Sequence, residues 1–293
     1  MKKILSILTA CLMIISTVAF SAGAKAYRKI IEKNGVMQMG DFDNLSDGYI
    51  IYFPTDLKNS DKVYPVAVWA NGTMCAPVLY SDLLIGVAKA GYIVVASPDM
   101  MPKDGKSQRA EIDYILEENA NASSIFYKKV DIERIGAFGH SQGGASCVNA
   151  AAADSRIKAI VSIAGASTKE EAEGLKVPSL FLTGKNDYVV LSSMWVEPSY
   201  NACNAPAVYA SLVNGIHTSC ILNAETYINY TVKWFNAWLF DDSDKSAFQK
   251  SGELSQDKKW TDFKAKNFES SDNKSCISKF LNMIIDFFKN FGL

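Results

Sequence analysis

Arg134-Ile135-Gly136-Ala137-Phe138-Gly139-His140-Ser141-Gln142-Gly143-Gly144-Ala145 is the stretch that decides how this chain is read. An apolar run enters a turn of the form Gly-x-Ser-x-Gly, and an alanine-rich segment reaching Ala153 leaves it. A strand that ends in such a turn and continues as a helix is the context in which the serine becomes a nucleophile. At the tip of the turn Ser141 is expected in a strained backbone conformation with its hydroxyl exposed. Gly139 and Gly143 lack the Cβ that would collide where strand and helix nearly touch. A phosphate cradle would place Lys and Ser/Thr after the glycines, but Ala145, Ser146 and Cys147 stand there. A plain strand-to-helix junction is the remaining alternative.

On both sides of this stretch, short apolar runs alternate with helical patterns. Strands are expected at Tyr49 to Phe53, Val63 to Ala70, Tyr92 to Ser97, Arg134 to Gly139, Ala159 to Ala164, Ser179 to Thr183 and Ala207 to Leu212. Helices are expected at Leu79 to Ala90, Arg109 to Asn119, Gln142 to Ala153 and Asn223 to Leu239. Strands that are apolar throughout, rather than alternating, are buried on both faces. The order of elements then predicts an α/β domain with a doubly wound, mostly parallel sheet and helices on both faces, over residues 27–240.

Composition excludes several functions. Of the 293 residues 48% are hydrophobic and 21% charged, which supplies a large core and argues against a disordered chain. The 30 Lys and Arg nearly balance the 31 Asp and Glu and form no polybasic run, so no nucleic-acid partner is expected. With two histidines and neither a CxxC nor an HExxH string, the ligand spacings of a zinc site are missing. No metal and no cofactor are expected.

A serine hydroxyl needs a base to take its proton, and the base needs an acid to orient it. Only His140 and His217 can serve. His140 lies beside the nucleophile with its side chain directed away, so His217, in the loop Asn214-Gly215-Ile216-His217-Thr218 after the last apolar strand, is the base by elimination. Asp187 follows the strand Ser179 to Thr183, at the carboxyl end where α/β sites gather, and is preferred to Asp154 as the acid. The order Ser141, Asp187, His217 is the order of this fold's triad. The turn Asn71-Gly72-Thr73-Met74 should supply one oxyanion N–H, from Thr73 in preference to Met74, and Gln142 the other. Met74, His140, Tyr188 and Trp195 are the expected substrate contacts.

Residues 1–26 read as an export signal, with basic Lys2 and Lys3, an apolar Ile4 to Phe20 and small residues around Ala24 and Ala26. The run is short for a membrane span, which takes roughly 20 residues, and Cys11 offers a lipidation alternative. Residues 241–293 read as a tail packed on the surface. Its end, Ile277 to Leu293, has apolar residues at helical spacing, either docked on the domain or free for a membrane surface. The remaining cysteines, Cys75, Cys147, Cys203, Cys220 and Cys276, form an odd set. A 203–220 bridge beside the base is one hypothesis, with Cys75 as a competing partner.

The elbow, the Asn71-Gly72 turn, Lys185-Asn186-Asp187 and His217-Thr218-Ser219-Cys220 together resemble the α/β-hydrolase superfamily, and in particular its exported bacterial branch of cutinase-like polyester hydrolases, lipases and chlorophyllase-like esterases. The resemblance covers about residues 40–240 and leaves no room for a large cap domain. It implies ester hydrolysis in an open cleft, on a small acyl ester, a lipid or a polyester; with the export signal, a secreted or cell-envelope protein is expected, and a monomer. Asn71 stands where many relatives have His or Pro, and Thr73 where polyester hydrolases usually carry an aromatic. A serine peptidase or acyltransferase would use the same three groups, and a noncatalytic surface-binding protein would need none of them.

Overall fold

The expected apolar runs become the middle strands of a wide sheet. The computed structural model describes residues 30–40, 48–241 and 243–268. Its strands are β1 (Ile30–Lys33), β2 (Val36–Met39), β3 (Ile50–Phe53), β4 (Tyr64–Ala70), β5 (Ile93–Ala96), β6 (Val130–His140), β7 (Ile157–Ile163), β8 (Ser179–Gly184), β9 (Ala207–Leu212) and β10 (Trp260–Lys266). They lie in the order β1-β2-β3-β5-β4-β6-β7-β8-β9-β10. Pairing is parallel from β5 through β9 and antiparallel at both margins.

The helices are α1 (Ser81–Lys89), α2 (Lys106–Ala120), α3 (Gln142–Ala153), α4 (Lys169–Glu173), α5 (Val196–Ala202), α6 (Ser219–Leu222), α7 (Ala224–Leu239) and α8 (Glu253–Gln256). The parallel strands are buried on both faces because each face carries its own apolar layer. One layer sets α1 and α7 against the sheet, with Leu84, Tyr227, Trp234 and Phe235 inside. The other sets α2 to α5 on the opposite face, with Ile112, Val148, Ala172 and Tyr200 inside. The chain is therefore an α/β-hydrolase fold with helices on both sides of a mainly parallel sheet. Among the described residues no helix is long and apolar enough to cross a membrane.

Two expectations need correction. The folded body does not stop at 240: Phe248 and Leu254 are buried against the α7 face, and Trp260 begins β10, which pairs antiparallel with β9. The segment read as a surface tail is a strand because β9 would otherwise expose a row of unpaired backbone groups at the sheet margin. Cys203 and Cys220 do not pair. Cys203 lies in the layer of α2 to α5 and Cys220 in the layer of α1 and α7, so the sheet separates them, and neither forms a disulfide. The export segment 1–26, Cys276 and the apolar segment 277–293 lie outside the described residues.

Register sets the functional ends side by side. Ala70 at the end of β4 pairs with Gly139 of β6, His140 with Ile163 of β7, and Gly184 of β8 with Leu212 of β9. The turns leaving β4, β6, β8 and β9 thus all open at one edge of the sheet, the carboxyl edge of its parallel strands.

Candidate active site

Ser141 has φ 58° and ψ −118°, a conformation that non-glycine residues rarely adopt. It is held there by its own backbone, whose N–H donates to the Ile163 carbonyl (2.9 Å) and whose carbonyl accepts from the N–H groups of Ala145 and Ala166 (both 3.2 Å). A β-carbon on Gly143 would lie 2.0 Å from the Ala70 carbonyl oxygen, so α3 can start this close to β4 only without one. Ser141 caps the N-terminus of α3, where the helix dipole favours negative charge.

Asp187, His217 and Ser141 form one hydrogen-bonded chain. His217 Nδ1 lies 2.8 Å from Asp187 Oδ2, and His217 Nε2 lies 3.0 Å from Ser141 Oγ. A carboxylate only accepts, so Nδ1 carries the proton and Nε2 is left to accept from the serine hydroxyl. The Asp187 side chain is fully buried and that of His217 is 15% exposed. Burial pushes the Asp187 carboxyl up, but its hydrogen bond to His217, the electrostatic attraction of that ring and the Val190 and Val189 N–H groups outweigh this. The carboxyl sits below its usual range as a result. Both of those N–H groups donate to Oδ1 at 2.9 Å. The base loop is pinned to the acid loop by Asn186 N–H, which donates to the Gly215 carbonyl (2.8 Å). Asp154, the weaker choice for the acid, is occupied by Arg156.

The turn after β4 lies against the nucleophile, since a β-carbon on Gly72 would come 3.5 Å from Ser141 Cβ. Met74 N–H donates to the Met100 carbonyl (2.9 Å) and is thereby committed. Among the described residues no hydrogen bond engages the N–H of Thr73 or of Gln142, so these two donors are free for an oxyanion. Asn71 holds the turn in place: its Nδ2 donates to the carbonyls of Ser97 (2.8 Å) and Asp99 (3.0 Å), and its Oδ1 accepts from Trp69 Nε1 (2.8 Å). Asn71 is therefore the clamp between this turn and the loop after β5. Beneath it Gln108 Nε2 donates to the Val68 and Phe138 carbonyls, tying β4 to β6.

The expected substrate contacts divide. Met74 and Tyr188 are exposed, Tyr188 at 82%, next to the oxyanion turn and the acid respectively. Val189 and Ile216, which sequence reasoning passed over, are exposed apolar residues next in sequence to the acid loop and the base. His140 is not on the surface: it is buried, with Nδ1 3.0 Å from the Tyr80 hydroxyl and Nε2 2.8 Å from the His217 carbonyl. Trp195 is half-buried, with part of its ring packed against the layer of α2 to α5. Tyr80 was missed because a tyrosine in an apolar run looks like ordinary core. Among the described residues no group of His, Cys, Asp or Glu converges as a metal site would require.

An open carboxyl-edge site with a strained serine, a histidine and a buried aspartate on a doubly wound sheet defines a serine hydrolase of the α/β-hydrolase class. A family model described as PETase, PET hydrolase-like, matches residues 37–267, and the chain belongs to that family. The match runs past residue 240 to include β10. The chain is 23% identical over 208 residues to cutinase est2 of Thermobifida alba, covering 69% of this chain and 67% of the relative. To cutinase est1 of the same organism it is 24% identical over 208 residues, 69% of this chain and 68% of the relative. To the bis(hydroxyethyl) terephthalate hydrolase of Streptomyces coelicolor it is 23% identical over 203 residues, 67% of this chain and 63% of the relative, less than two thirds of that protein's length. The chain is a carboxylic ester hydrolase of the serine type.

Proposed function

We propose that Ser141, His217 and Asp187 are the catalytic triad of an exported hydrolase acting on esters with extended apolar acyl or aryl parts. The reading rests on one observation, the hydrogen-bonded chain from Asp187 through His217 to Ser141. His217 takes the hydroxyl proton as Ser141 Oγ attacks the ester carbonyl, and the tetrahedral oxyanion is held by the N–H groups of Thr73 and Gln142 at the start of α3. The protonated imidazole, stabilised by Asp187, gives its proton to the leaving alkoxide. A water activated by the same base then releases the acyl group and restores the serine.

The substrate class follows from what surrounds these groups. Met74 adjoins the oxyanion donor, Tyr188 and Val189 follow the acid, and Ile216 precedes the base, all of them exposed. Such a rim favours a chain laid across the surface over a small molecule enclosed in a pocket. The relatives' names, cutinase and bis(hydroxyethyl) terephthalate hydrolase, agree with an accessible, extended ester. The signal-like residues 1–26 support export, and the apolar segment 277–293 is compatible with a monomer that associates with a membrane or other surface.

The test is a panel of p-nitrophenyl esters of increasing acyl length, a lipid emulsion, an insoluble polyester film and a peptide amide. The native chain should be labelled at Ser141 by a fluorophosphonate, Ser141→Ala should be inactive, and activity should persist or rise with acyl length. Labelling at another residue, or preference for the amide, would refute the reading.

A further inference from the structure

Besides the triad, the site contains a second, continuous hydrogen-bonded chain built from buried groups that take no part in the reaction steps above. Gly72 N–H donates to the Tyr80 hydroxyl oxygen (3.1 Å), the Tyr80 hydroxyl meets His140 Nδ1 (3.0 Å), and His140 Nε2 meets the His217 carbonyl oxygen (2.8 Å). The carbonyl of His217 can only accept, so His140 donates from Nε2, and a neutral ring then accepts at Nδ1 from the Tyr80 hydroxyl. A neutral His140 is thereby confined to one tautomer.

We propose that Tyr80 and His140 are positioning residues that tie the oxyanion turn to the backbone of the catalytic base, so that the Thr73 donor and the His217 imidazole keep one spacing about Ser141. The proposal rests on the triad reading and adds to it the device that sets the relative placement of its parts. Three observations carry it. The chain grips backbone at both ends: Gly72 is one residue from the Thr73 donor, and the accepting carbonyl belongs to His217 itself. His140 immediately precedes Ser141, so the link passes through the elbow rather than around it. The rings are also packed, with centroids 5.6 Å apart for Tyr80 and His140 and 4.6 Å for His140 and His217, and Trp69 lies 4.7 Å from Tyr80 on its other side. A Cβ on Gly72 would meet this pair, 2.9 Å from the Tyr80 oxygen and 3.2 Å from His140 Nδ1.

The electrostatics agree with the geometry. Burial and the neighbouring His217 hold His140 down to about 3, so it stays neutral wherever the base works. Burial pushes the Tyr80 phenol well above its usual range, so it remains a donor. A charged His140 would turn a second N–H on a phenol oxygen that already accepts from Gly72.

The test compares the full-length wild type with Tyr80→Phe, His140→Gln, His140→Phe and the double variant Tyr80→Phe/His140→Phe on a soluble p-nitrophenyl ester. Misplacement of reacting groups by about an ångström costs ~10²-fold, so kcat should fall ~10-fold in Tyr80→Phe and ~10²-fold in His140→Phe, with KM nearly unchanged. His140→Gln, whose amide can still donate to the His217 carbonyl, should retain more kcat than His140→Phe. Adding Tyr80→Phe to His140→Phe should cost little further, because the link is already cut. Fluorophosphonate labelling of Ser141 should slow in parallel, which reports acylation apart from product release.

Wild-type kcat in both Tyr80→Phe and His140→Phe would overturn the proposal, as would a change confined to KM, which marks a substrate contact. Fully additive losses would overturn it too. Tyr80→Phe keeps the ring and its packing, so an unchanged thermal midpoint in that variant separates positioning from misfolding if His140→Phe fails to fold. Failure of the triad reading is a different result: wild type unlabelled at Ser141, or Ser141→Ala still active.

Discussion

Replacing His140 by glutamine removes a titrating group that the fold keeps neutral, and the consequence for stability can be worked out from its surroundings. Burial first, and then the His217 ring, hold this imidazole down to about 3, against 6.5 for a free side chain. Between those values the unfolded chain binds a proton that the folded chain refuses. Stability therefore rises with pH across the window: it is fully present above the unfolded value and lost as pH falls toward the folded one. From about pH 7 to about pH 4.5 the linkage relation gives a loss on the order of 2–3 kcal/mol from this one group. Glu111 acts with the opposite sign. Burial raises its carboxyl well above the usual range, so the folded chain keeps a proton that the unfolded chain releases, and acidification stabilises through that window. The wild type mixes both effects, and its difference from His140→Gln isolates the histidine. Urea unfolding followed by tryptophan fluorescence at the two pH values should show the wild type losing on the order of 2–3 kcal/mol more than the variant, about 1 M in midpoint for an ordinary slope. Parallel losses would mean that His140 takes up a proton in the folded protein, and the single-tautomer chain through it would be refuted.

Asp187→Asn should lower kcat by roughly 10⁴-fold while leaving fluorophosphonate access to the site intact, because an amide no longer holds the His217 tautomer with Nδ1 protonated; stopped-assay kinetics on a p-nitrophenyl ester check this. Gly143→Ala should abolish activity, since its β-carbon would sit 2.0 Å from the Ala70 carbonyl and α3 could not begin where it does; loss of Ser141 labelling in whatever soluble protein is obtained is the measurement. Thiol titration after denaturation without reductant should find Cys203 and Cys220 reduced, and reductant should leave the thermal midpoint unchanged. A 203–220 linked peptide in non-reducing mapping would contradict their placement on opposite faces of the sheet.

The middle of the sheet was legible because its strands are apolar without alternation, and Ala207–Leu212 has the same limits in the sequence reading and in the structure. The margins were not. Ile30–Lys33 and Val36–Met39 form a hairpin around Asn34 and Gly35, both at positive φ, and that Asn-Gly pair is the signal that would have revealed them. Trp260–Lys266 carries charges at alternate positions, as an edge strand does, but nothing local says that its partner is Ala207–Leu212. The short helices Lys169–Glu173, Val196–Ala202 and Ser219–Leu222 are too brief for a periodic pattern to emerge.

By itself the sequence determined the class and the chemistry: one Gly-x-Ser-x-Gly turn between strand and helix, two histidines of which one follows the last apolar strand, and an aspartate at a strand's carboxyl end. These are local facts, since the motif, the scarcity of bases and an aspartate after a strand can be read without any distant contact. Tertiary structure alone decided what each neighbour of the triad does. His140 and Trp195 are chemically fit to touch substrate, but packing buries the first between Tyr80 and the His217 carbonyl and leans the second on the apolar layer beneath α5. Cys203 and Cys220 are close in sequence and separated by the sheet. A residue type limits which bonds a side chain can make, but the face of the sheet it occupies, set by register and by long-range packing, selects the one it forms.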